Sequence, residues 1–505
     1  MEAQNRRRLA TTSMTSEPGL PLILAFLAAF VTIWTLYFTI SDAPAAIHHD
    51  AAEAYVWGQE FQPGYVKHPP FWAWICGLWF LVLPRAGWAF AILTSLNAGV
   101  GLCGAWMLIG NFAEGQKRLA ATVLLLLTPF YTFLSYKYNA NSIFLSIWPW
   151  TLYFFTRAIE SRRLVDSVFF GVLMGVALLS KYYALILGAT CFLAAVQHPS
   201  RSRYFASASP YVSAVVAAAV CGPHVWWLLT SGAPPMRYLA SESGRGFVST
   251  AFYAATAFFG ALAQNILVFL VVAFAGRTPP REWVASFRGQ WRNPRFRMLT
   301  TLALAPLILT MPAAFAVGMK VSTSMMIGVF SLLPLLAIEI AGARDVARLS
   351  RIGSRFAAAL TLGALALSPA IALAKAWLGT DGAETQPRKE LAIEATRLWR
   401  DKTSLPLSYV AGSFRYYTAV AFYSPDSPHG FDHFDFFRSP WVTPEALAAH
   451  GLLAVCENAD AECLASSAKF ATPQSTRTEI SLTHDFLGHK GEPVGFVVTI
   501  IPPHG

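Results

Sequence analysis

Charge is what this chain has least of. Asp, Glu, Lys and Arg make up 13% of its 505 residues, about half the share found in a soluble domain, and that excludes a water-exposed globule of this size. Cysteine is scarce as well, with six residues. Four of the six, Cys76, Cys103, Cys191 and Cys221, stand in apolar runs as small packing residues. Cys456 and Cys463 lie in a polar tail and can pair if that tail faces an oxidising compartment. No Cys/His spacing of the zinc-binding kind occurs, and the scattered tail histidines His429, His433, His450, His484 and His489 read as surface residues. No internal repeat is evident, which argues against transporter folds built from inverted repeats.

Apolar residues fill the space that charge leaves. They are 55% of the chain, and the mean hydropathy is +0.45. Gly19–Ile40, Trp88–Gly110, Ser207–Leu229, Ala251–Ala275, Met298–Gly318, Val321–Gly342 and Ala357–Leu378 are each near the ~20 residues that span a bilayer core. The first run is too long for a cleavable signal peptide and reads as a retained span. The fold class predicted is an all-α polytopic membrane protein with a small C-terminal α/β soluble domain. Residues 1–18 form a cytoplasmic tail, 19–378 the membrane domain with a first external loop over 41–87, and 379–505 the soluble domain. Within that tail, Leu407–Ala411, Leu452–Val455 and Gly495–Ile501 read as strands, and Arg388–Trp399 and Pro444–His450 as helices.

The net charge of +10 does not point to nucleic acid, because its arginines cluster in short loops between spans. That is the bias of cytoplasmic loops. Placing Arg6–Arg8, Lys117–Arg118, Arg162–Arg163, Arg201/Arg203, Arg277–Arg297 and Arg344–Arg355 on one side requires eleven full crossings. It also makes Pro70–Pro84 a short helix that enters the membrane from outside, or lies along it, and returns, and splits Val165–Val196 into two helices meeting at Lys181. The soluble domain then lies outside, periplasmic in a Gram-negative cell, and the protein is a multi-pass protein of a bacterial inner membrane.

The first external loop carries the chemistry. His48, His49, Asp50, Glu53, Tyr55 and Trp57, then Tyr65, Lys67, His68, Pro69 and Pro70, crowd carboxylates, imidazoles and an ammonium against the membrane surface. Asp50 and Glu53 share a helical face, and either carboxylate can serve as a general base toward a hydroxyl. Lys67 and His68 can hold a phosphate. The bland alternative is a polar juxtamembrane loop in which Glu53 only caps a helix.

The pattern Asp50…Glu53-Ala54-Tyr55…Trp57-Gly58…Gly64-Tyr65…Lys67-His68-Pro69-Pro70 resembles the first periplasmic loop of GT-C glycosyltransferases. It is most similar to the polyprenyl-phosphate-sugar-dependent, glycosyltransferase family 39-type branch. That branch holds protein O-mannosyltransferases, the lipid A aminoarabinose transferase and rhizobial lipopolysaccharide galacturonosyltransferases. Thr128-Pro129-Phe130, Lys137-Tyr138-Asn139-Ala140-Asn141 and Gly175–Tyr183 continue the resemblance. It implies about 11–13 transmembrane helices and transfer of a hexose or pentose, with inversion, from a polyprenyl phosphate to an acceptor outside the membrane. That acceptor is lipid A, lipopolysaccharide, another glycolipid or a protein. Asp50 matches the expected base best, with Glu53 as runner-up, because Ala52 stands where many relatives carry the aspartate of an Asp-Glu pair. Asn139 and Asn141, where relatives often carry an acid, are assigned with Tyr55 to substrate binding, and Lys67 or His68 to the carrier phosphate.

Lys181 and Tyr182 lie between apolar segments, where an ionisable residue is a functional candidate or snorkels to the headgroups. His224, Arg237 and Tyr238 complete the substrate-binding candidates; an interface histidine and a solvated arginine are the plainer readings. No metal ligand is assigned and no cofactor is required, although His48, His49, Asp50 and Glu53 would suit a divalent ion. A transporter or flippase for a lipid-linked sugar would share the helices and the phosphate contacts.

Overall fold

A computed structural model describes residues 20–378 and 385–504. The tail expected over 1–18, and the boundary expected at 379, lie outside the described residues. The bundle opens with α1 (Leu20–Ser41), α2 (His49–Glu60), α3 (Phe71–Val82), α4 (Gly87–Gly110), α5 (Gly115–Leu124), α6 (Phe144–Ser161), α7 (Leu164–Leu178), α8 (Ala184–Gln197) and α9 (Ser209–Thr230). It continues with α10 (Pro234–Glu242), α11 (Phe247–Ala263), α12 (Ile266–Ala275), α13 (Pro294–Val317), α14 (Leu333–Ala341) and α15 (Val346–Leu378). Among the described residues six helical stretches are long and apolar enough to cross a membrane: α1, α4, α9, α11 with α12, α13 and α15. Shorter apolar helices fill the bundle between them. Their exposed side chains are those of a lipid-facing surface, with Leu22, Val215, Phe259 and Phe274 each more than 60% exposed.

Two expected spans take a different form. The run Val321–Gly342 is no continuous helix: 3-10 turns over Thr323–Met326 and Val329–Leu332 precede α14. Ser322, Thr323 and Ser324 favour turns over helix interior, Pro334 can only open a helix, and a Cβ on Gly328 would meet Phe144 O at 2.7 Å, so the backbone itself packs there. The run Ala251–Ala275 breaks between α11 and α12. Asn265 is buried there, and its amide donates back to Ala261 O at 2.8 Å, a local bond that competes with the helical ladder. Pro69-Pro70 and Pro84 bound the short α3, as the sequence predicts, and α7 and α8 flank Lys181.

The soluble domain is a five-stranded sheet in the order β2-β1-β3-β7-β4. Its strands are β1 (Tyr409–Gly412), β2 (His429–Asp432), β3 (Leu452–Glu457), β4 (Thr476–Leu482) and β7 (Val494–Ile501), with a small β5–β6 hairpin over Asp485–Phe486 and His489–Lys490. Strand β1 runs parallel to β2 and β3, while β7 is antiparallel to β3 and β4. Four helices cover it: α16 (Arg388–Lys402), α17 (Phe414–Tyr423), α18 (Pro444–His450) and α19 (Ala461–Ala468). Strands β2 and β4 have no continuous apolar run, and the sequence reading passes over them. Cys456 at the end of β3 and Cys463 in α19 are joined in a disulfide.

This domain is fastened to the first loop rather than tethered beside it. Arg85, between α3 and α4, donates to the carbonyls of Phe422 (3.1 Å), Ser424 (2.6 Å) and Pro425 (3.2 Å). It thereby satisfies the open carbonyls at the C-terminus of α17. The Tyr423 hydroxyl accepts from Ile47 N at 2.9 Å, and His429 Nδ1 lies 2.7 Å from Glu60 Oε1. Arg85→Ala leaves those carbonyls unsatisfied and is expected to destabilise the docked domain by about 1–3 kcal/mol. Limited proteolysis of the membrane-embedded protein checks this, with faster cleavage within residues 385–504 than in the wild type.

Candidate active site

Helix α2 places the two carboxylates. It starts at His48, whose Nδ1 accepts from Asp50 N at 3.1 Å, and it stops at Phe61 in the left-handed region (φ 46°). A Cβ on Gly58 would meet Ala73 O at 2.5 Å, so only glycine lets α2 lie this close to α3. Trp57 and Tyr65 stack with centroids 4.8 Å apart, and the Tyr65 hydroxyl donates to Trp57 O at 2.5 Å. These contacts turn the chain back so that Lys67 and His68 face the helix that carries Asp50 and Glu53.

The structure separates the roles of the two acids. Glu53 is buried, its side chain 9% exposed, and ion-paired with Lys67 Nζ at 2.7 Å. Burial pushes the Glu53 carboxyl up, against the pull of the ammonium. Burial also works to lower Lys67, but the charge and hydrogen bond of Glu53 outweigh it and hold it above its ordinary value. Asp50 is 34% exposed. Its Oδ2 accepts from Asn139 Nδ2 at 2.9 Å, while Asn139 Oδ1 accepts from the backbone N–H of Asn141 (2.8 Å) and Ser142 (2.9 Å). Those two bonds fix which way the amide points, so Asn139 is a donor to Asp50.

Asn141 continues the chain of contacts. Its Oδ1 accepts from Lys181 Nζ at 2.5 Å, and Lys181 sits in the turn between α7 and α8, which Phe71 N ties down by donating to Leu179 O at 2.9 Å. Burial lowers Lys181 to about 8, with the charge of Asp50 opposing the shift. The nearest partner of this desolvated ammonium is a neutral amide. His68 is pushed well below its ordinary value by burial, then by the charges of Lys181 and Lys67, and so is a neutral imidazole at pH 7. It packs edge-on against Trp72. His48, His49 and Asp50 also bring ligand atoms within 4.8 Å of one another, a spacing that suits a divalent ion.

The remaining candidates divide. Tyr182 hydroxyl meets His224 Nε2 at 2.9 Å, and His224 Nδ1 lies 2.7 Å from Pro63 O, so this pair straps the 63–70 turn in place. Tyr238 on α10 lies within electrostatic reach of Lys67 and Glu53. Arg237 faces away, stacked on Phe437 of the soluble domain at 5.0 Å. Tyr55 packs edge-on between Phe80 and Phe422, on the docking face of α2 rather than with Asp50.

The soluble domain adds residues that the sequence reading misses. Phe414 presents its ring 4.8 Å from Lys67 Nζ and stands edge-on to His49 at 6.1 Å. Asp432, 2% exposed, is held by Arg438 Nε (2.8 Å), His433 Nδ1 (2.6 Å) and the Tyr417 hydroxyl (3.0 Å), and its charge acts on both Lys67 and Glu53. The run Phe431–Phe437, with two aspartates and a histidine among four phenylalanines, is the signal that could have found it. His429 and His433, read as surface residues, have side chains 44% and 51% exposed, and each is also paired with a buried carboxylate, Glu60 and Asp432 respectively.

Burial works to raise Asp432, but the His433 hydrogen bond and the Arg438 charge hold it down at about 2, below its ordinary 3.8. A depressed carboxyl contributes stability above its unfolded value and loses it as pH falls through the folded one. Asp432→Asn is therefore expected to lower the stability of the soluble domain at pH 7 by roughly 2 kcal/mol. The wild-type advantage should disappear between pH 4 and pH 2, as read by thermal melting at each pH.

Comparison with known proteins fits this geometry. Residues 67–227 match the family model described as dolichyl-phosphate-mannose-protein mannosyltransferase, a segment that holds Lys67, His68, Asn139, Asn141, Lys181, Tyr182 and His224. No curated protein matches the chain. The crystal structure of ArnT from Cupriavidus metallidurans in the apo state is similar with a TM-score of 0.62, and that of ArnT bound to undecaprenyl phosphate with 0.61. Both are 14% identical, over 95% of this chain and 98% of that one. At this identity the likeness is one of fold, and it extends from the bundle through the soluble domain. The chain is thus a multi-pass membrane protein with the GT-C fold of membrane glycosyltransferases.

Proposed function

We propose that the protein transfers a sugar from a polyprenyl-phosphate carrier to a hydroxyl on a glycolipid of lipid A or lipopolysaccharide type, at the extracytoplasmic face of a bacterial inner membrane. The observation that carries this reading is the line Asp50–Asn139–Asn141–Lys181, which sets an accessible carboxylate and a desolvated cation in one site. Lys181 holds the carrier phosphate, and Asp50 takes the proton of the acceptor hydroxyl as its oxygen attacks the anomeric carbon. The bond from that carbon to the phosphate oxygen breaks, and the phosphate leaves as an anion against Lys181. Attack from the face opposite the phosphate inverts the centre.

Positioning and electrostatics supply the catalysis. The leaving group departs as an anion against Lys181; the residues assigned here do not require a metal ion, and the His48, His49 and Asp50 cluster would suit a divalent one. The Glu53–Lys67 pair serves as scaffold, and neutral His68 donates its N–H to the carrier phosphate. A cavity of about 340 Å³ between α3, α4, α6 and α7, lined by Phe71, Ile75, Leu96, Val100, Leu173 and Val176, suits the carrier's isoprenoid chain. Val176 in its wall stands five residues before Lys181. ArnT was crystallised with undecaprenyl phosphate, which supports the carrier class.

The test is sugar transfer by the purified protein in lipid, with a panel of undecaprenyl-phosphate sugars and bacterial glycolipid acceptors. Transfer from at least one donor is expected. Tight carrier binding with no transfer from any donor would favour a flippase instead.

A further inference from the structure

A second cavity lies on the other side of Asp50. It measures about 230 Å³, sits between the ends of α1, α2 and α4, and is lined by Asp42, His48, Ala51, Trp88, Ala91 and Lys389 among others. His48 forms the wall toward the site, its Nδ1 3.8 Å from Asp50 Oδ2. We propose that this cavity is the acceptor port, and that it takes the anionic headgroup of a lipid whose chains lie along the seam of α1, α4 and α15. The proposal rests on the transfer reading above, since it assigns the port for the second substrate of that reaction.

Three observations point to that occupant. The first is charge. Lys389 on α16 brings a cation into the cavity lining, beside Asp42, which Lys375 at the end of α15 reaches at 2.5 Å. Lys389 is desolvated, which holds its ammonium below the ordinary value, and a desolvated cation favours an anionic guest.

The second is the path. Along the same α1–α4 seam runs a groove of about 480 Å³, almost wholly apolar, lined by Leu22, Phe26, Ile33, Leu102 and, from α15, Ala358 and Leu362. Five residues separate Ile33 in the groove from Phe38 in the cavity, about 7.5 Å along the helix.

The third is access. Trp88 at the cavity mouth is 41% exposed, the position of an interfacial aromatic at headgroup level. The cavity is therefore reached sideways from the membrane, as a lipid would reach it. The carrier cavity between α3, α4, α6 and α7 opens on the opposite side of α4, so two lipids can approach Asp50 without crossing.

The experiment uses the full chain in phosphatidylcholine nanodiscs. Phosphatidic acid carrying a diazirine near its headgroup is the probe, the phosphatidylcholine analogue is the control, and labelled peptides are mapped by mass spectrometry. Peptides covering 38–51 and 87–94 should label at least fivefold more with phosphatidic acid. Lys389→Glu should bring that labelling to the control level, and Ala91→Trp, which fills the cavity, should suppress both probes. Equal labelling by the two lipids, or labelling unchanged in both variants, overturns the port. Undecaprenyl phosphate affinity is measured on the same samples and should be the same in wild type and variants. Competition by undecaprenyl phosphate for the label would assign the cavity to the carrier and overturn the port. A wild type that fails to bind undecaprenyl phosphate at all would overturn the donor reading, whatever the label shows.

Discussion

Asp50→Asn is expected to reduce transfer by about a hundred- to ten-thousand-fold, the contribution of a positioned general base, while carrier affinity stays within a factor of about two. The substitution is isosteric and can still accept from Asn139, so the site keeps its shape and loses only the proton acceptor. Single-turnover transfer measured beside equilibrium binding of undecaprenyl phosphate separates the two effects. Glu53→Gln should behave differently. It removes the partner of a buried lysine, and an unpaired buried charge costs about 3–5 kcal/mol, so the loss should appear as instability. Combining Glu53→Gln with Lys67→Met should restore stability, because it removes the stranded charge. If Glu53→Gln instead leaves the protein stable and abolishes turnover, the role of base moves to Glu53.

Lys181→Met should weaken carrier binding by about ten- to a hundred-fold, the worth of one charge-assisted contact in a desolvated site. Methionine keeps the apolar stem, so the α7–α8 turn is preserved and the loss reports the charge. The pH dependence carries the same signature. Lys181 has a lowered pKa of about 8, so its cationic form is fully present below that value and is lost as pH rises through it. Carrier affinity should be flat from pH 6 to 7 and fall toward tenfold per unit above about 8. In Lys181→Met the affinity should be low and independent of pH over the same range. A wild-type affinity that stays level to pH 10 would remove Lys181 from the phosphate site.

Much of the architecture is legible in the residues because a bilayer leaves the backbone few choices. Runs near twenty residues become helices, and the arginine bias and the prolines at 69–70 and 84 mark where they end. What misleads is hydropathy without backbone detail: Val321–Gly342 is apolar enough to span but too rich in turn formers to stay helical. In the site, Asp50, Asn139, Asn141 and Lys181 are all readable as polar residues in apolar company, and the structure joins them into one line. The opposite characters of Glu53 and Asp50 are not readable, since they depend on which acid meets Lys67 across a turn fourteen residues long. Phe414 and Asp432 are hidden for a stronger reason. Their proximity to Lys67 arises only from docking of the soluble domain onto the first loop, held by Arg85 and Glu60 over more than three hundred residues of sequence separation.

The central claim is that a carrier phosphate sits on Lys181 within reach of Asp50. A cryo-electron microscopy structure of the protein in nanodiscs with undecaprenyl phosphate tests it most directly. The account predicts phosphate density at hydrogen-bond distance from Lys181 Nζ, in place of the Asn141 contact, with the isoprenoid running between α4 and α7. Phosphate density at Arg237, with Lys181 still on Asn141, would contradict it.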